Sequence, residues 1–421
     1  MQAGQRDEQN PALEYSVIEA NKRNQPLVVF FGLTDYPEAN SRHYRFMLRG
    51  LRDTYDGLVE RGAQLVVQFG DPAEGCIELA GSASLVVLDR GYQRLQRGWY
   101  KVVLDAVDRA VVQVEGEVVV PVEVAAEKEM YMAVHLRKRI NPLIPDYLVE
   151  IPVHELDNSK EFDIDSVTLD DVNGILEQLD EDVSVDPGSY KGGREEALRR
   201  FKVFLDDRLE DYAELRNDPN ENIQSDMSPY LHYGQVSPVE LAKASREIGG
   251  VGADEYIEQL VVRRELAINM VYYNPYYDSI KCLPDWARTT LREHSGDERA
   301  YTYTRDELEK GQTHDYYWNK AQLEMIETGK MHGYMRMYWG KKILEWMFDP
   351  EIAYETALYL NNRYELDGRS CNGYTGVAWC FGKHDRAWKE RKIFGKVRYM
   401  NSRGLERKYD MEVYLAKGFN I

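Results

Sequence analysis

The chain has 421 residues, of which 43% are hydrophobic and 30% charged, and its formal net charge is −19. Its longest apolar runs, such as LVVFFGL at 27–33, fall far short of the roughly 20 residues needed to span a membrane, and the spacing of its four cysteines excludes a disulfide framework and a zinc site. We therefore predict a cytoplasmic protein. We also predict two domains, because the chain exceeds the length at which single cores usually stop growing.

The first third of the chain alternates short β-branched runs with amphipathic helical stretches. The runs are LVVFFGL, AQLVVQFG, SLVVLDRG and VVQVEGEVVVPVE, and the helical stretch SRHYRFMLRGLRDTYDGLVERG separates the first two. This alternation is typical of a parallel sheet covered by helices. We predict a Rossmann-like parallel α/β domain over residues 1–130, although neither GxGxxG nor GxxxxGK(S/T) marks a nucleotide site in it.

An acidic segment follows this domain. Residues 150–186 contain thirteen Asp or Glu and a single lysine, Lys160, so this segment alone supplies −12. Long polar connections of this kind run over protein surfaces. We predict an interdomain linker over residues 131–190.

From residue 191 onward the β-branched runs give way to successive helical patterns, such as GREEALRRFKVFLDDRLEDYAEL. This half also contains six of the seven tryptophans, all beyond residue 280. We predict an all-helical domain over residues 191–421.

The stretch MHGYMRMYWGKKILEW (331–346) places a cation among aromatic rings. On a helix of 3.6 residues per turn, four side chains fall within roughly 80° of one another: His332, Arg336, Trp339 and Trp346. Aromatic stripes are most often core. However, ELDGRSCNGYTGVAW (365–379) and LRNDPNENIQSDMSPYLHYGQVSP (215–238) are also polar where a helical core should be apolar, and the second sets helix-start residues before Pro229 that suit a pyrophosphate. We predict that the three segments converge on one large cofactor.

The segment from Lys383 to Lys408 is basic in an otherwise acidic chain. It holds ten Lys or Arg against three Asp or Glu, a local charge of +7. Such a patch is either a solvated surface or a contact surface for the phosphates of nucleic acid.

The chain resembles a known family in four segments: DMSPYLHYGQVS, THDYYWNKAQLEMIETGKMHGYMRMYWGKKILEW, LNNRYELDGRSCNGYTGVAW and GKHDRAWKERKIFGKVRYMN. They resemble the flavin domain of the photolyase and cryptochrome superfamily, specifically of the class II cyclobutane pyrimidine dimer photolyases. The match is close over residues 190–415 and looser but collinear over 1–190. It implies an α/β antenna domain, a helical domain that holds FAD, and light-driven repair of pyrimidine dimers in double-stranded DNA by a monomer.

The resemblance also implies roles for individual residues. Electrons would reach light-excited FAD through Trp318, Trp339 and Trp346, while Arg336 would face FAD and pair with Asp367. Further FAD contacts would come from Tyr212, Ser225, Asp226, Met227, Ser228, Gly368 and Arg369, and the amide near flavin N5 would be Asn361 or Asn372. The dimer, flipped out of the duplex, and its strand would be contacted by Met337, Trp379 and Arg216, with Lys392 and Lys396 on the phosphates.

Two departures from the family pattern bear on these expectations. The family sheet opens with a strand before the segment that resembles MQAGQRDEQNPAL, so either the start is misassigned or the sheet lacks a strand. The family also places an active-site Glu where this chain has Gln259, with Glu258 on a different side of the helix. An amide cannot supply the proton that a carboxyl group can share with a dimer carbonyl, so repair efficiency depends on this position.

Two other functions stay open. A cryptochrome-like light sensor would keep FAD and the tryptophans but lose repair, which Gln259 favours and the absence of a long tail beyond Ile421 disfavours. A non-catalytic interaction protein would use the indoles as plain core and would purify without colour. The resemblance also allows a second, antenna chromophore of deazaflavin, folate or flavin type, whose identity the sequence leaves open.

Overall fold

The computed structural model describes residues 1–179 and 182–419. In its first 114 residues four strands alternate with four helices, as the β-branched runs predict. The strands are β1 (Val28–Leu33), β2 (Gln64–Phe69), β3 (Leu85–Asp89) and β4 (Ala110–Val114), and the helices are α1 (Pro11–Arg23), α2 (Ser41–Glu60), α3 (Pro72–Ala80) and α4 (Arg94–Ala106). Asn10, Asn40 and Asp71 start the first three helices by accepting first-turn backbone N–H groups.

The strands form two separate parallel pairs, β1 with β2 and β3 with β4. Among the described residues no strand joins the pairs, and the N-terminal segment lies between them. The Met1 ammonium group donates to the Phe30 carbonyl oxygen at 2.8 Å, and the backbone N–H groups of residues 2–4 converge on Asp89 Oδ2. The predicted α/β fold class is confirmed, but the sheet is not continuous.

The last β-branched run, VVQVEGEVVVPVE, is strand only in its first part. Beyond β4 the backbone turns to a helix side chain instead of a neighbouring strand, because the buried Glu265 carboxyl group accepts the N–H of Val119 at 2.6 Å and of Val120 at 3.4 Å. Three short helices follow: α5 (Val122–Ala125), α6 (Ala133–Ile140) and α7 (Ile144–Tyr147).

Much of the acidic segment runs without helix or strand along β2. The N–H of Val167 donates to the Val67 carbonyl oxygen at 2.7 Å, and the Gln64 amide exchanges two hydrogen bonds with the Phe162 backbone. The segment thereby covers a strand edge that would otherwise be open to pairing with another chain. One short helix, α8 (Val172–Gln178), follows, and residues 180 and 181 lie outside the described ranges.

Beyond residue 190 the chain is helical, as predicted. The helices are α9 (Arg194–Asp207), α10 (Tyr212–Leu215), α11 (Ser228–His232), α12 (Pro238–Ile248), α13 (Gly250–Ile257), α14 (Arg264–Tyr273), α15 (Asp285–Glu293), α16 (Arg305–Glu309), α17 (Tyr316–Thr328), α18 (Gly333–Trp346), α19 (Pro350–Tyr364), α20 (Cys371–Cys380), α21 (Ser402–Glu406) and α22 (Met411–Ala416). A π-helical segment, Glu258–Arg263, joins α13 to α14, and a 3₁₀ turn spans Ile280–Cys282.

Two large hydrophobic cores cross the predicted domain boundaries. One packs β1, β2 and α2 against buried residues between 190 and 266, and the other packs residues 268–414 together with Val118 and Val122. The α/β and helical halves therefore pack directly against each other, and residues of both halves line a cavity between them. Within 1–179 and 182–419, the structure has no helix that is both long and apolar enough to cross a membrane.

Candidate active site

Helix α18 carries the aromatic stripe, but it begins after His332. The His332 ring caps the helix by accepting the Tyr334 N–H at 3.3 Å. Burial lowers the pKa of His332 to about 4, so the ring is neutral. Arg336 is therefore the cation that this part of the stripe contributes.

Arg336 lies between two buried carboxyl groups. Its Nη2 atom is 2.8 Å from Glu365 Oε2 and 3.4 Å from Asp367 Oδ1. Burial opposes ionisation of Asp367, but Arg336, Lys330 and a hydrogen bond from Ser228 lower the pKa of Asp367 to about 2. Burial raises the pKa of Glu365 to about 8 despite the neighbouring Arg336. The group therefore contains one ionised carboxylate, one cation and one carboxyl that keeps its proton at neutral pH.

Three buried indoles form a continuous cluster next to Arg336. Trp318 on α17 stacks parallel to Trp339, with ring centroids 6.4 Å apart, and meets Trp346 edge-on at 5.3 Å. The indole N–H of Trp318 donates to the Trp339 carbonyl oxygen at 3.0 Å, and that of Trp339 donates to Gln322 Oε1 at 2.8 Å. Trp318 thus bridges the two indoles of α18, and Trp339 lies one turn after Arg336.

The polar loop before α11 contacts Lys330, which lies between α17 and α18. Asp226 has a positive φ of 59°, a conformation that is uncommon for residues other than glycine. Lys330 Nζ lies 3.3 Å from both Asp226 Oδ1 and Ser228 Oγ. Ser225 Oγ accepts the N–H of the buried Met227 at 3.4 Å. The predicted helix is only five residues long, so the positive charge beside this loop comes from Lys330, which the sequence did not indicate.

A cavity beside Asp367 is lined by both halves of the molecule. The helical half contributes Ser228, Asp367, Arg369 and Asn372, and the α/β half contributes Tyr36, His43, Gln93 and Trp99. The Gln93 amide donates to the Arg369 carbonyl oxygen, and Arg369 Nη2 donates to the Tyr233 hydroxyl at 3.2 Å. Motif analysis of the helical half alone missed the α/β wall.

Seven of the eleven residues assigned to FAD are not among those that line this cavity: Tyr212, Ser225, Asp226, Met227, Arg336, Asn361 and Gly368. Asn361 is buried, and its amide donates to Asn362 Oδ1 at 3.2 Å. Gly368 is packed so closely that an added Cβ would lie 2.7 Å from the Asn361 carbonyl oxygen. Tyr212 packs edge-on against Phe204, with ring centroids 5.4 Å apart. Asn361 and Asn372 both remain candidates for the amide near flavin N5.

Gln259 and Arg216 are connected through a residue that the sequence analysis missed. Gln259 Nε2 donates to Glu255 Oε1 at 2.8 Å, and Arg216 Nη2 lies 2.9 Å from the same oxygen. Glu255 precedes Gln259 by one helical turn, so the i,i+4 spacing was the available signal. Glu258 points to other partners, Arg137 at 2.9 Å and Arg263 at 3.1 Å.

Trp379 and Met337 flank the same cysteine. Met337 Sδ lies 4.0 Å from Cys380 Sγ, which follows Trp379 in the chain, and the Arg263 guanidinium lies 5.7 Å from the Trp379 ring centroid. Both side chains are half-buried. A cation of the π-helical segment therefore lies near the indole of Trp379, and a thioether of α18 lies near the next residue of α20.

Nine of the ten cations in the basic segment are exposed: Arg386, Lys389, Arg391, Lys392, Lys396, Arg398, Arg403, Arg407 and Lys408. Lys383 is the exception, because its ammonium group is buried between the Cys282 carbonyl oxygen, at 2.6 Å, and Glu129. Within the described part of the chain none of the nine is in an ion pair, whereas many cations elsewhere are. The basic segment is therefore a surface of uncompensated positive charge.

Comparisons with known proteins place this architecture in a family. Residues 1–153 match the family model of DNA photolyase. A deoxyribodipyrimidine photo-lyase of Methanothermobacter thermautotrophicus is 49% identical over 421 aligned residues, covering 99% of this chain and 93% of that protein. Two solved structures share the fold. An archaeal photolyase from Sulfolobus tokodaii with two FAD molecules matches at a TM-score of 0.75 and 16% sequence identity, covering 99% of this chain and 87% of that one. The Synechocystis sp. PCC6803 cryptochrome matches at a TM-score of 0.76 and 15% sequence identity, covering 99% of this chain and 86% of that one.

The fold alone does not separate photolyases from cryptochromes, since it is shared by both solved structures at similar TM-scores. The high identity over nearly the full length of both proteins does decide the family. This chain belongs to the DNA photolyase family, among the deoxyribodipyrimidine photo-lyases.

Proposed function

We propose that this protein binds FAD and uses light to split cyclobutane pyrimidine dimers in double-stranded DNA. The observation that carries the proposal is the line of groups that starts at Asp367 on the cavity wall and continues through Arg336, which contacts Asp367, to Trp339 one turn further along α18 and the two indoles that join it. A plain hydrophobic core gains nothing from a buried cation between indoles and a polar cavity, whereas a redox cofactor needs both. Membership of the photo-lyase family supports the same chemistry.

The residues present fit a flavin. Arg336 Nε and Glu365 Oε1 are buried and have no hydrogen-bond partner among the described residues. Buried polar atoms of this kind are costly unless a ligand or water satisfies them. When bound, FAD supplies the light-absorbing group and the electron that opens the cyclobutane ring. The chain's own residues orient the cofactor and keep water away, and Lys330 offers a cation for a phosphate group.

The test of this proposal needs only the purified protein. We expect it to carry FAD and, once the flavin is reduced, to restore thymine-dimer oligonucleotides under blue light but not in the dark. A protein that purifies without flavin and does not bind added FAD would contradict the proposal. Bound FAD without any repair would favour the light-sensor alternative instead.

The side chains assigned to the lesion suit a flipped-out dimer. A damaged base pair costs less to extrude than a normal one, and an indole and a thioether offer flat, polarisable contacts to a pyrimidine. Trp379 and Met337 supply these contacts, and Arg216 supplies a cation. Glu255 adds a carboxylate beside Gln259, so this chain has an acidic group next to the position where the family has its Glu.

Gln259→Glu is expected to raise the fraction of absorbed photons that end in repair while changing dimer affinity by less than about tenfold. The new carboxyl would lie within hydrogen-bond distance of Glu255, and two neighbouring carboxylates share a proton because both cannot ionise easily. The gain should therefore shrink at high pH, when the pair loses that proton. Repair per absorbed photon is measured with the flavin reduced beforehand and the substrate saturating.

Gln312→Glu adds the same charge at an exposed position and serves as the control. Glu255→Gln should lower repair per photon, because it removes the carboxylate that Gln259 contacts. Equal yields in all four proteins would show that neither residue touches the lesion.

Lys392→Gln combined with Lys396→Gln is expected to weaken binding to damaged and undamaged duplex by similar factors. Each lost phosphate contact should flatten the logarithmic salt dependence of binding by up to about 0.9. Binding is measured over a series of salt concentrations. The matched control is Lys202→Gln with Lys310→Gln, which removes two exposed lysines that are already paired with aspartates. An identical salt slope in both double variants would mean that the basic segment is merely solvated.

The proposal also includes a second chromophore, a cytoplasmic location and a monomeric state. The cavity extends into the α/β half, where Tyr36 meets Trp99 edge-on at 6.3 Å, and this supports a second chromophore of deazaflavin, folate or flavin type near that wall. We place the protein in the cytoplasm, acting on DNA as a monomer. Sedimentation with and without duplex tests the monomer.

A further inference from the structure

All three indoles of the cluster are buried. Trp318, Trp339 and Trp346 are each 2% exposed or less, so a soluble reductant cannot reach the last ring directly. An electron path that begins at a cofactor in the cavity needs an outer member that solvent can reach. The structure has candidates for it in the two loops that precede α16 and α17.

Tyr303 is the next ring outward from Trp346. Its ring centroid lies 5.1 Å from that of Trp346, at an interplanar angle of 78°. The Tyr303 hydroxyl lies 2.7 Å from His314 Nδ1 and also accepts the backbone N–H of His314 at 2.9 Å. When the neutral imidazole carries its proton on Nε2, the phenol donates to Nδ1 while its oxygen accepts the backbone N–H, and we assign this tautomer.

His314 is suited to receive a proton and release it. Its ring is exposed and stacks on Tyr301, with centroids 3.6 Å apart, and it also lies 5.6 Å from the Trp346 ring. Burial and Lys342 lower the pKa of His314 against the opposing influence of Asp315 and Glu345, so the imidazole is neutral at pH 7. A neutral Nδ1 can accept a proton, and the exposed ring can pass it to water.

We propose that Tyr303 and His314 form the outer end of the electron path, where oxidation of the tyrosine is coupled to transfer of its proton to the histidine. The inference rests on the proposed function, because the oxidant is a light-excited flavin. After light-driven loss of one electron from the indole cluster, Trp346 is left as a radical cation. Tyr303 gives one electron to Trp346 and its phenolic proton to Nδ1 of His314. A neutral tyrosyl radical and an imidazolium result, and the imidazolium returns its proton to solvent.

The physical gain is a longer separation of charge. A neutral tyrosyl radical whose proton has left is a weaker oxidant than an indole radical cation, so it takes its electron back more slowly. The exposed fraction of the neighbouring Tyr301, 50%, shows that this corner of the molecule is open to small reductants. Tyr303 is the group oxidised, and His314 is a positioning and proton-accepting residue.

The experiment is time-resolved absorption and electron paramagnetic resonance on the flavin-loaded full chain. We expect a tyrosyl radical after a light pulse and slower formation of it in deuterium oxide. Tyr303→Phe should abolish the tyrosyl signal, leaving a tryptophanyl radical that recombines faster. His314→Ala should slow tyrosyl formation and remove the deuterium effect, and added imidazole should restore it because the site is exposed.

Tyr301→Phe is the matched control, since it keeps the stack on His314 and removes a neighbouring phenol. It should behave like the unaltered protein. A tyrosyl signal that survives Tyr303→Phe, or a tryptophanyl radical without any tyrosyl radical in the unaltered protein, would overturn the relay. The absence of every protein radical would contradict the proposed flavin chemistry as well, so the two failures are distinguishable.

Discussion

Replacing Trp339 with Phe is expected to leave FAD bound and to abolish light-driven reduction of the oxidised flavin. Phe keeps an aromatic ring against Trp318 but is much harder to oxidise than an indole. Trp339 is also the indole next to Arg336, and Arg336 contacts the cavity wall at Asp367. Without Trp339, no indole connects Trp318 and Trp346 to the cofactor.

The contacts of Trp318 and Trp346 predict different effects when each of them is replaced. Because Trp318 contacts both of its partners, Trp318→Phe should cause the same loss, whereas Trp346→Phe should leave a shortened path that returns its electron quickly. Photoreduction is followed as bleaching of the oxidised flavin under blue light with an external reductant. Repair after chemical reduction of the flavin should persist in all three variants, because ring opening does not use the indoles.

Trp286→Phe is the control for this series. Trp286 lies outside the indole cluster and donates to the Tyr131 hydroxyl at 2.9 Å, so its loss should not change photoreduction. Trp339→Phe also leaves Gln322 Oε1 without its donor, which costs about 1–3 kcal/mol of stability and must be checked by thermal unfolding. A folded, flavin-bound Trp339→Phe protein that photoreduces normally would remove Trp339 from the path.

The fold was predictable where one physical signal dominated. The runs at 27–33 and 64–69 became β1 and β2 because consecutive apolar residues, such as residues 65–67 of β2, suit a parallel strand that is covered on both faces. The run after β4 failed as a strand because Glu265, far along the chain, takes over the hydrogen bonds of Val119 and Val120. Local composition contains no information about a partner 145 residues away.

In the candidate site, too, only features with a local sequence signal were predictable. Spacing placed Arg336, Trp339 and Trp346 on one helix, but no pattern within α18 shows that Trp318 bridges the two indoles. A charge count placed Lys383 on the basic surface, yet that lysine is buried against Cys282, because burial depends on tertiary packing and not on composition. Glu365 was passed over for the same reason: its raised pKa arises from the surroundings that folding creates.

Arg336→Met is expected to destabilise the protein by about 3–5 kcal/mol at neutral pH, because it leaves Asp367 and Glu365 buried without their cation. Met fills a similar volume, so the loss reports charge more than packing. The same variant should bind FAD much more weakly, since Arg336 is the cation beside Asp367 at the cavity wall. The free energy of unfolding is measured in denaturant without added flavin, and flavin binding is titrated separately.

The pH dependence distinguishes this cause from a packing defect. In the intact protein the pKa of Asp367 is about 2, below its unfolded value of 3.8, so the ionised form contributes stability above pH 3.8 that is lost as the pH falls through about 2. Without Arg336, burial dominates and the pKa values of both carboxyls lie above their unfolded values of about 4. Stability from a raised carboxyl pKa is present at low pH and is lost as the pH rises.

The destabilisation by Arg336→Met should therefore be smaller near pH 5 than near pH 8. Adding Glu365→Gln to the variant should recover part of the loss at pH 8 and little at pH 5, because it removes one of the two stranded carboxyls. Arg52→Met, at an exposed arginine paired with Asp56 and Asp170, should change stability by no more than about 0.5 kcal/mol at either pH. A loss that is equal at both pH values would show that Arg336 acts through packing, and the buried charge group would then have no part in holding the cavity wall.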